Sequence, residues 1–185
     1  MYKRQVLPGS TTIETDFMGN RKPGESLDVD YDIEGADVGY RWYARKGEQP
    51  LFAFGHGLSY TTFETSGLKF KAGKPLVAEA TVRNTGALAG AEVVQVYLTS
   101  AAGKATLRLV GYQRVELAPG ESRPVSVAID ARLLSAYEPG GWHQAAGSYR
   151  FALGRSAGTL GESAELQLAE QHLNTAGNAI KPGKK

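Results

Sequence analysis

The sequence predicts an all-β chain, a β-sandwich of about seven strands. Three features lead there. Apolar and polar residues alternate with period 2 through most of the chain after Pro75. Turn-forming residues interrupt these runs at short intervals. Helical spacing is scarce in the same region.

The elements follow in order. In "PLVAEATVRN", Leu76, Ala78, Ala80 and Val82 share one face, while Glu79, Thr81 and Arg83 take the other. Asn84-Thr85-Gly86 closes that strand. "AEVVQVYLTS" aligns Val94, Val96 and Leu98. "LRLVGYQRVEL" is longer, and Gly111 at its centre predicts a bulge or bend. Ala118-Pro119-Gly120-Glu121 predicts a type II turn, because Pro presets φ and Gly accepts a positive φ. "SRPVSVAID" points Val125, Val127 and Ile129 one way. Asp130 is placed to cap a short helical turn running to Ala136. Gly140-Gly141 and Gly147 mark loops. "SYRFALG" sets Tyr149, Phe151 and Leu153 against Arg150 and Ala152. "ESAELQLAEQHLNTAG" reads two ways: a helix capped by Ser163 and stopped by Gly177, or a last strand carrying Leu166 and Leu168. Residues 171–185 are expected to be a disordered tail.

Residues 6–50 differ in character. They are loop-rich, with an extended stretch expected from Asp28 to Tyr43 that sets Val38, Tyr40 and Trp42 on one face. "LFAFGHGLSYTTF", residues 51–63, then concentrates Leu51, Phe52, Phe54, Leu58, Tyr60 and Phe63. Flexible linkers are rich in Gly/Ser or Pro, and this stretch is not. Each large apolar side chain gains roughly 1.5–3 kcal/mol on burial. The segment is therefore expected to be a packed joint, with Gly55 and Gly57 turning the backbone between aromatics.

Composition removes several function classes. Net charge is +2, from 21 basic and 19 acidic residues, and Lys and Arg are scattered among acids. A nucleic-acid binder would show a basic stripe instead. No cysteine is present, so disulfides, Cys-ligated zinc and thiol nucleophiles are excluded. No apolar run approaches the ~20 residues of a membrane helix, so no membrane partner is expected.

The motif "EGADVGYRWYARKGEQPLFAFGHGLSYTTFE" resembles the segment that joins the second domain to the third in glycoside hydrolase family 3, the β-glucosidase and β-xylosidase group. The family pattern runs Glu34-Gly35, then Val38-Gly39-Tyr40-Arg41-Trp42-Tyr43, then Pro50-Leu51-Phe52 and Phe54-Gly55, Gly57-Leu58-Ser59-Tyr60-Thr61. Ala53 departs from it, standing where the family usually has Pro. "TVRNTGALAGAEVVQVYL", "LVGYQRVELAPGES" and "YEPGGWHQAAGSYRFALGRSAGTL" resemble the fibronectin type III-like domain that follows. The likeness covers about residues 30–162.

The resemblance implies an immunoglobulin/fibronectin type III-like sandwich over residues 61–170. It would be preceded by the remnant tail of an α/β sandwich domain and the interdomain joint, residues 6–60. "MYKRQ" resembles the translated end of a sequencing adapter, so residues 1–5 are expected not to belong to the gene, which would continue upstream. The parent enzyme would be a retaining glycosidase acting on β-linked glucosides or xylosides, periplasmic or extracellular. It would use two carboxyls about 5–5.5 Å apart. Both family motifs that carry them lie upstream of this sequence, so no catalytic residue is assigned. The partners implied are upstream domains of the same polypeptide and an oligo- or disaccharide substrate. A carbohydrate-binding or adhesion module is the alternative.

Gly154-Arg155-Ser156-Ala157-Gly158 fits a nucleophile elbow only if a helix follows it, and a hairpin is expected instead. Asp28-x-Asp30-x-Asp32 lacks the Gly and Glu of a calcium loop, since Ile33 and Gly39 stand there. Arg41, Trp42 and Tyr43 could form a sugar platform, and His56 could approach the sugar pocket through domain contact. Arg41, Trp42 and His56 are thus the candidate substrate-binding residues. Trp142 is a weaker candidate for surface ligand contact. His56, His143 and His172 show no metal-ligand spacing, so no metal and no cofactor are expected.

Overall fold

A computed structural model describes residues 34–180. The expected extended segment around Asp28, its Asp28-x-Asp30-x-Asp32 motif and the adapter-like residues 1–5 lie outside these.

Among the described residues, eleven strands follow one short α-helix. The helix α1 spans Tyr40–Lys46. The strands are β1 Phe63–Lys71, β2 Leu76–Asn84, β3 Gly90–Ala101, β4 Lys104–Leu117, β5 Ser122–Ile129, β6 Ala136–Glu138, β7 Gly141–Gln144, β8 Gly147–Ser156, β9 Thr159–Leu168, β10 Gln171–Leu173 and β11 Ala179–Ile180. Two sheets form the sandwich, one ordered β1-β2-β5 and the other β4-β3-β8-β9. Together they supply the seven strands that the alternation predicts. A small third sheet, β11-β10-β7-β6, lies outside that pair.

The inward faces meet as expected. Ala78, Ala80 and Val82 of β2, Val94, Val96 and Leu98 of β3, Val125, Val127 and Ile129 of β5, and Tyr149, Phe151 and Leu153 of β8 are all buried in one core cluster. Phe70 leans on Phe151 with ring centroids 4.7 Å apart. The pleat sends every second residue inward, so burial of this apolar set fixes the register of both sheets.

The irregular points have local causes. Opposite β3, the register steps from Val96↔Gly111 to Tyr97↔Leu109, so β4 bulges at Val110. Gly111 permits the bulge, because a Cβ there would collide with Val127 Cγ1 of the facing sheet. Gly120 has φ 73°, and Glu121 N donates to Ala118 O at 3.1 Å, as the expected turn requires. Asp130 accepts from Arg132 N at 2.9 Å and caps a 3-10 turn, Ala131–Leu134, shorter than expected. Edge strand β1 kinks at Gly67, φ 74°. Its exposed amides there, Gly67 N and Leu68 N, donate to the Glu162 carboxylate of β9 at 2.7 and 3.2 Å. One edge of the sandwich is closed by that side chain.

Asn84 is the polar centre of the fold, with no exposed surface. Its Oδ1 accepts from Thr61 Oγ1 at 2.8 Å and from Gly86 N at 3.1 Å. Its Nδ2 donates to Leu88 O at 2.8 Å and Leu117 O at 3.1 Å. One side chain therefore ties the start of β1, the β2–β3 loop and the end of β4. Buried amides persist only when satisfied in this way.

Two expectations are corrected. Residues 40–43 are helical, not extended: Asp37 accepts from Arg41 at 2.6 Å and Arg45 at 3.2 Å, a spacing that only a helical turn brings together. Residues 171–180 are not a disordered tail, since Leu173 is buried and β10 pairs with both β7 and β11. Of the two readings of the stretch around Leu166, the strand holds, as β9.

Replacing Asn84 by Ala would strand four hydrogen-bonding groups. Each buried unsatisfied group costs about 1–3 kcal/mol. Urea denaturation of the 185-residue chain should show Asn84→Ala losing at least ~3 kcal/mol. A loss under about 1 kcal/mol would contradict the role given to this side chain.

Candidate functional site

The candidate site is the strip of chain ahead of β1 and the sandwich surface beneath it. Helix α1 lies against β4. The Tyr40 hydroxyl accepts from Leu109 N at 2.8 Å, next to the bulge that leaves that amide unpaired in the ladder. The Tyr40 ring stacks on Phe54 at 4.6 Å. Further along, Phe54 O accepts from Ala157 N at 2.8 Å, so the β8–β9 turn holds the loop. Gln95 Nε2 donates to Arg155 O at 2.9 Å, and the Tyr97 hydroxyl donates to Gln95 Oε1 at 2.6 Å. Burial is the main reason the Tyr97 phenol is pushed well above its usual range.

Gln95 and Tyr97 are a second buried layer. They point away from the sandwich core, yet Gln95 is 6% and Tyr97 0% exposed. Strand β3 is thus covered on both faces. The signal in the sequence was Tyr97 itself, an aromatic on the supposedly outer face.

Around this layer runs a cleft of ≈ 430 Å³, bordered by His56, Ser59, Glu92, Gln95, Arg155 and Thr159. Glu92 is the one carboxylate among its lining residues. Desolvation raises its pKa above the usual 4.5, and nearby Arg155 and a hydrogen bond from the Val93 backbone offset this only in part. One carboxylate cannot supply both roles of a retaining glycosidase.

The sequence-derived candidates do not converge on a sugar platform. Trp42 is 5% exposed, with Arg45 at 4.4 Å and Lys46 at 4.9 Å over its ring. It keeps its aromatic face for these cations and for packing. Arg41 is ion-paired to Asp37, and its buried Nε meets no partner among the described residues. His56 is exposed and lies 5.4 Å from the Phe52 ring. Trp142 packs edge-on to Tyr137 at 5.1 Å and donates to Thr175 O at 3.4 Å. Gly154–Gly158 is a β-hairpin with strand β9 after it, so there is no nucleophile elbow.

Residues 51–60 leave most of their large apolar side chains exposed. Leu51 is 88%, Phe52 68%, Leu58 95% and Tyr60 97% exposed. The Phe54 carbonyl holds the joint to the β8–β9 turn, but the described residues do not bury its large side chains. Only Phe63 at its end enters the core.

Comparison with known proteins now bears on these features. Residues 92–157 match the family described as fibronectin type III-like domain. Thermostable β-glucosidase B of Acetivibrio thermocellus is 39% identical over 145 residues, 73% of this chain and 19% of that protein. Probable β-glucosidase J of Neosartorya fischeri is 47% identical over 106 residues, 50% of this chain and 12% of the relative. Among solved structures, β-glucosidase 3B from Thermotoga neapolitana in complex with α-D-glucose aligns with TM-score 0.71 and 34% identity, covering 77% of this chain and 21% of that one. The Bifidobacterium adolescentis GH3 β-glucosidase aligns at 0.70 and 35%, covering 80% and 23%. The chain belongs to glycoside hydrolase family 3. Its sandwich is the fibronectin type III-like domain of that family, and it spans about a fifth or less of the length of these relatives. The candidate site of this family 3 chain holds no catalytic pair among its described residues.

Glu92 makes the cleft testable. Between 4.5 and its raised native pKa, the folded chain holds more protons than the unfolded one, so stability falls as pH rises through that window. Glu92→Gln should therefore be more stable than the parent chain at pH 7. The difference should shrink below pH 4.5, where both side chains are neutral. Thermal melts across pH check this, and a variant less stable at pH 7 would contradict it.

Proposed function

We propose that this chain is the non-catalytic C-terminal part of a β-glucosidase-like enzyme, and that its sandwich buttresses the catalytic domains. The parent enzyme would hydrolyse β-linked glucosides or xylosides of oligo- or disaccharide size. The observation that carries this reading is the strip from Leu51 to Tyr60, which offers five large apolar side chains outward from a fixed backbone. Exposed apolar surface of this extent marks an interaction site. The partner proposed for it is the upstream part of the same polypeptide, and residues up to 60 are assigned to that preceding domain and the joint.

Arg41, Trp42 and His56 then serve the joint. Arg41 and Asp37 shape α1, Trp42 packs it down, and His56 sits beside Phe52 within the strip. Their effect on hydrolysis would be indirect, through the placement of the domain that bears the reacting groups.

Two measurements test the proposal. Deleting residues 61–185 from the intact gene should lower both the melting midpoint and the aryl-glucosidase activity; unchanged values would remove the buttress. The double variant Phe52→Ser/Leu58→Ser should leave the stability of this chain alone within about 0.5 kcal/mol, since both side chains are already in water. In the intact enzyme the same pair should lower the midpoint and the activity together. Equal effects in the two contexts would contradict the docking role.

A further inference from the structure

The small sheet brings together three side chains that the sequence keeps far apart. His143 of β7 and His172 of β10 are directly opposite in the antiparallel register. Their rings stack at 4.5 Å and within 5° of parallel. Glu170, just before β10, places Oε1 at 2.9 Å from His143 Nε2 and 3.6 Å from His172 Nε2. One ligand atom from each of the three residues lies within 4.8 Å of the others. On its far side, His143 Nδ1 donates to Glu138 Oε1 at 3.3 Å. The sequence spacing of His143 and His172 gives no sign of this pairing.

We propose that His143, His172 and Glu170 form a binding site for a borderline divalent ion, Zn²⁺ by chemical class. The geometry points to it on four counts. Zinc takes imidazole nitrogen at about 2.0–2.1 Å and carboxylate oxygen at about 2.0–2.2 Å. Ligand atoms around one such ion stand roughly 3.3 Å apart, close to the separations of Glu170 Oε1 from the two Nε2 atoms. Cross-strand partners keep their Cβ atoms about 4.5–5.5 Å apart, so two histidines in register can share an ion without backbone movement. Glu138 already occupies the position of an outer partner at His143 Nδ1, while Glu170 Oε1 faces Nε2, where the metal would sit. The Glu138 and Glu170 carboxylates bring two formal negative charges to the cluster, which a dication offsets.

The structural consequence is a clasp. Only three residues of β10 pair with β7, and β11 is held through β10 alone. An ion shared across that pair would fasten residues 170–180 to the rest of the domain. The three protein ligands are half-exposed or exposed, so the fourth position would hold water.

Titrating the metal-free 185-residue chain with ZnCl₂ against a chromogenic chelator at neutral pH tests the site. The expected result is one ion per chain, no competition from Mg²⁺ or Ca²⁺, and a melting midpoint that rises with zinc concentration. His143→Ala and His172→Ala should each abolish binding. Glu138→Gln should weaken it about tenfold, as outer partners generally do. Substituted Co²⁺ should give a visible absorption band that both histidine variants lose. If an Ala variant fails to fold, His172→Gln at the same position gives the same reading. No binding at micromolar zinc, or binding that both histidine variants retain, would overturn the proposal.

Discussion

The joint combines a fixed backbone with unburied side chains, and the rest of the structure depends on that combination. Residues 51–61 are fastened to the sandwich by polar bonds: Ala157 N to Phe54 O, Thr61 Oγ1 to the buried Asn84, and Tyr40 stacked on Phe54. These fastenings use a backbone carbonyl, the small Thr61 hydroxyl and one face of the Phe54 ring. The apolar bulk of Leu51, Phe52, Leu58 and Tyr60 is left outside. A flexible segment could fold such groups back onto its own domain. A pinned one cannot, and so it presents them at a constant angle to whatever lies ahead of it.

The sandwich supplies that rigidity through two layers that differ in chemistry. Between the sheets the packing is aliphatic and aromatic, and it fixes strand register. Outside β3 lies the smaller Gln95–Tyr97 layer, polar and hydrogen-bonded, which holds Arg155 and seats the joint. The bulge at Val110 connects them. It keeps Gly111 against Val127 on the core side and exposes Leu109 N to the Tyr40 hydroxyl on the other. A mistake in the core register would therefore move the platform on which the joint rests.

Much of the sandwich could be read from the residues, because a strand with one dry face writes its burial into every second position. The run from Leu76 to Val82 and the run from Val125 to Ile129 are of that kind. Other features needed the third dimension. Tyr40–Lys46 has few residues and no side-chain cap, so its helix depends on Asp37 reaching two arginines and on packing against β4. The second burial layer was hidden because Gln95 is polar and its covering came from 40 residues away. His143 and His172 are separated by strands β8 and β9, and only cross-strand register makes them neighbours. The exposure of the joint was misjudged for a different reason. Apolar composition states that a segment should be covered, but it does not state by what.

Hydroxyl-radical footprinting read by mass spectrometry measures that cover directly, because it reports solvent access at individual side chains. In the 185-residue chain, Leu51, Phe52, Leu58 and Tyr60 should be modified heavily while Tyr97 and Phe151 are spared. In the longer family 3 enzyme, the same four joint residues should become protected. Equal modification of the four in both proteins would contradict a joint that docks on the catalytic domains.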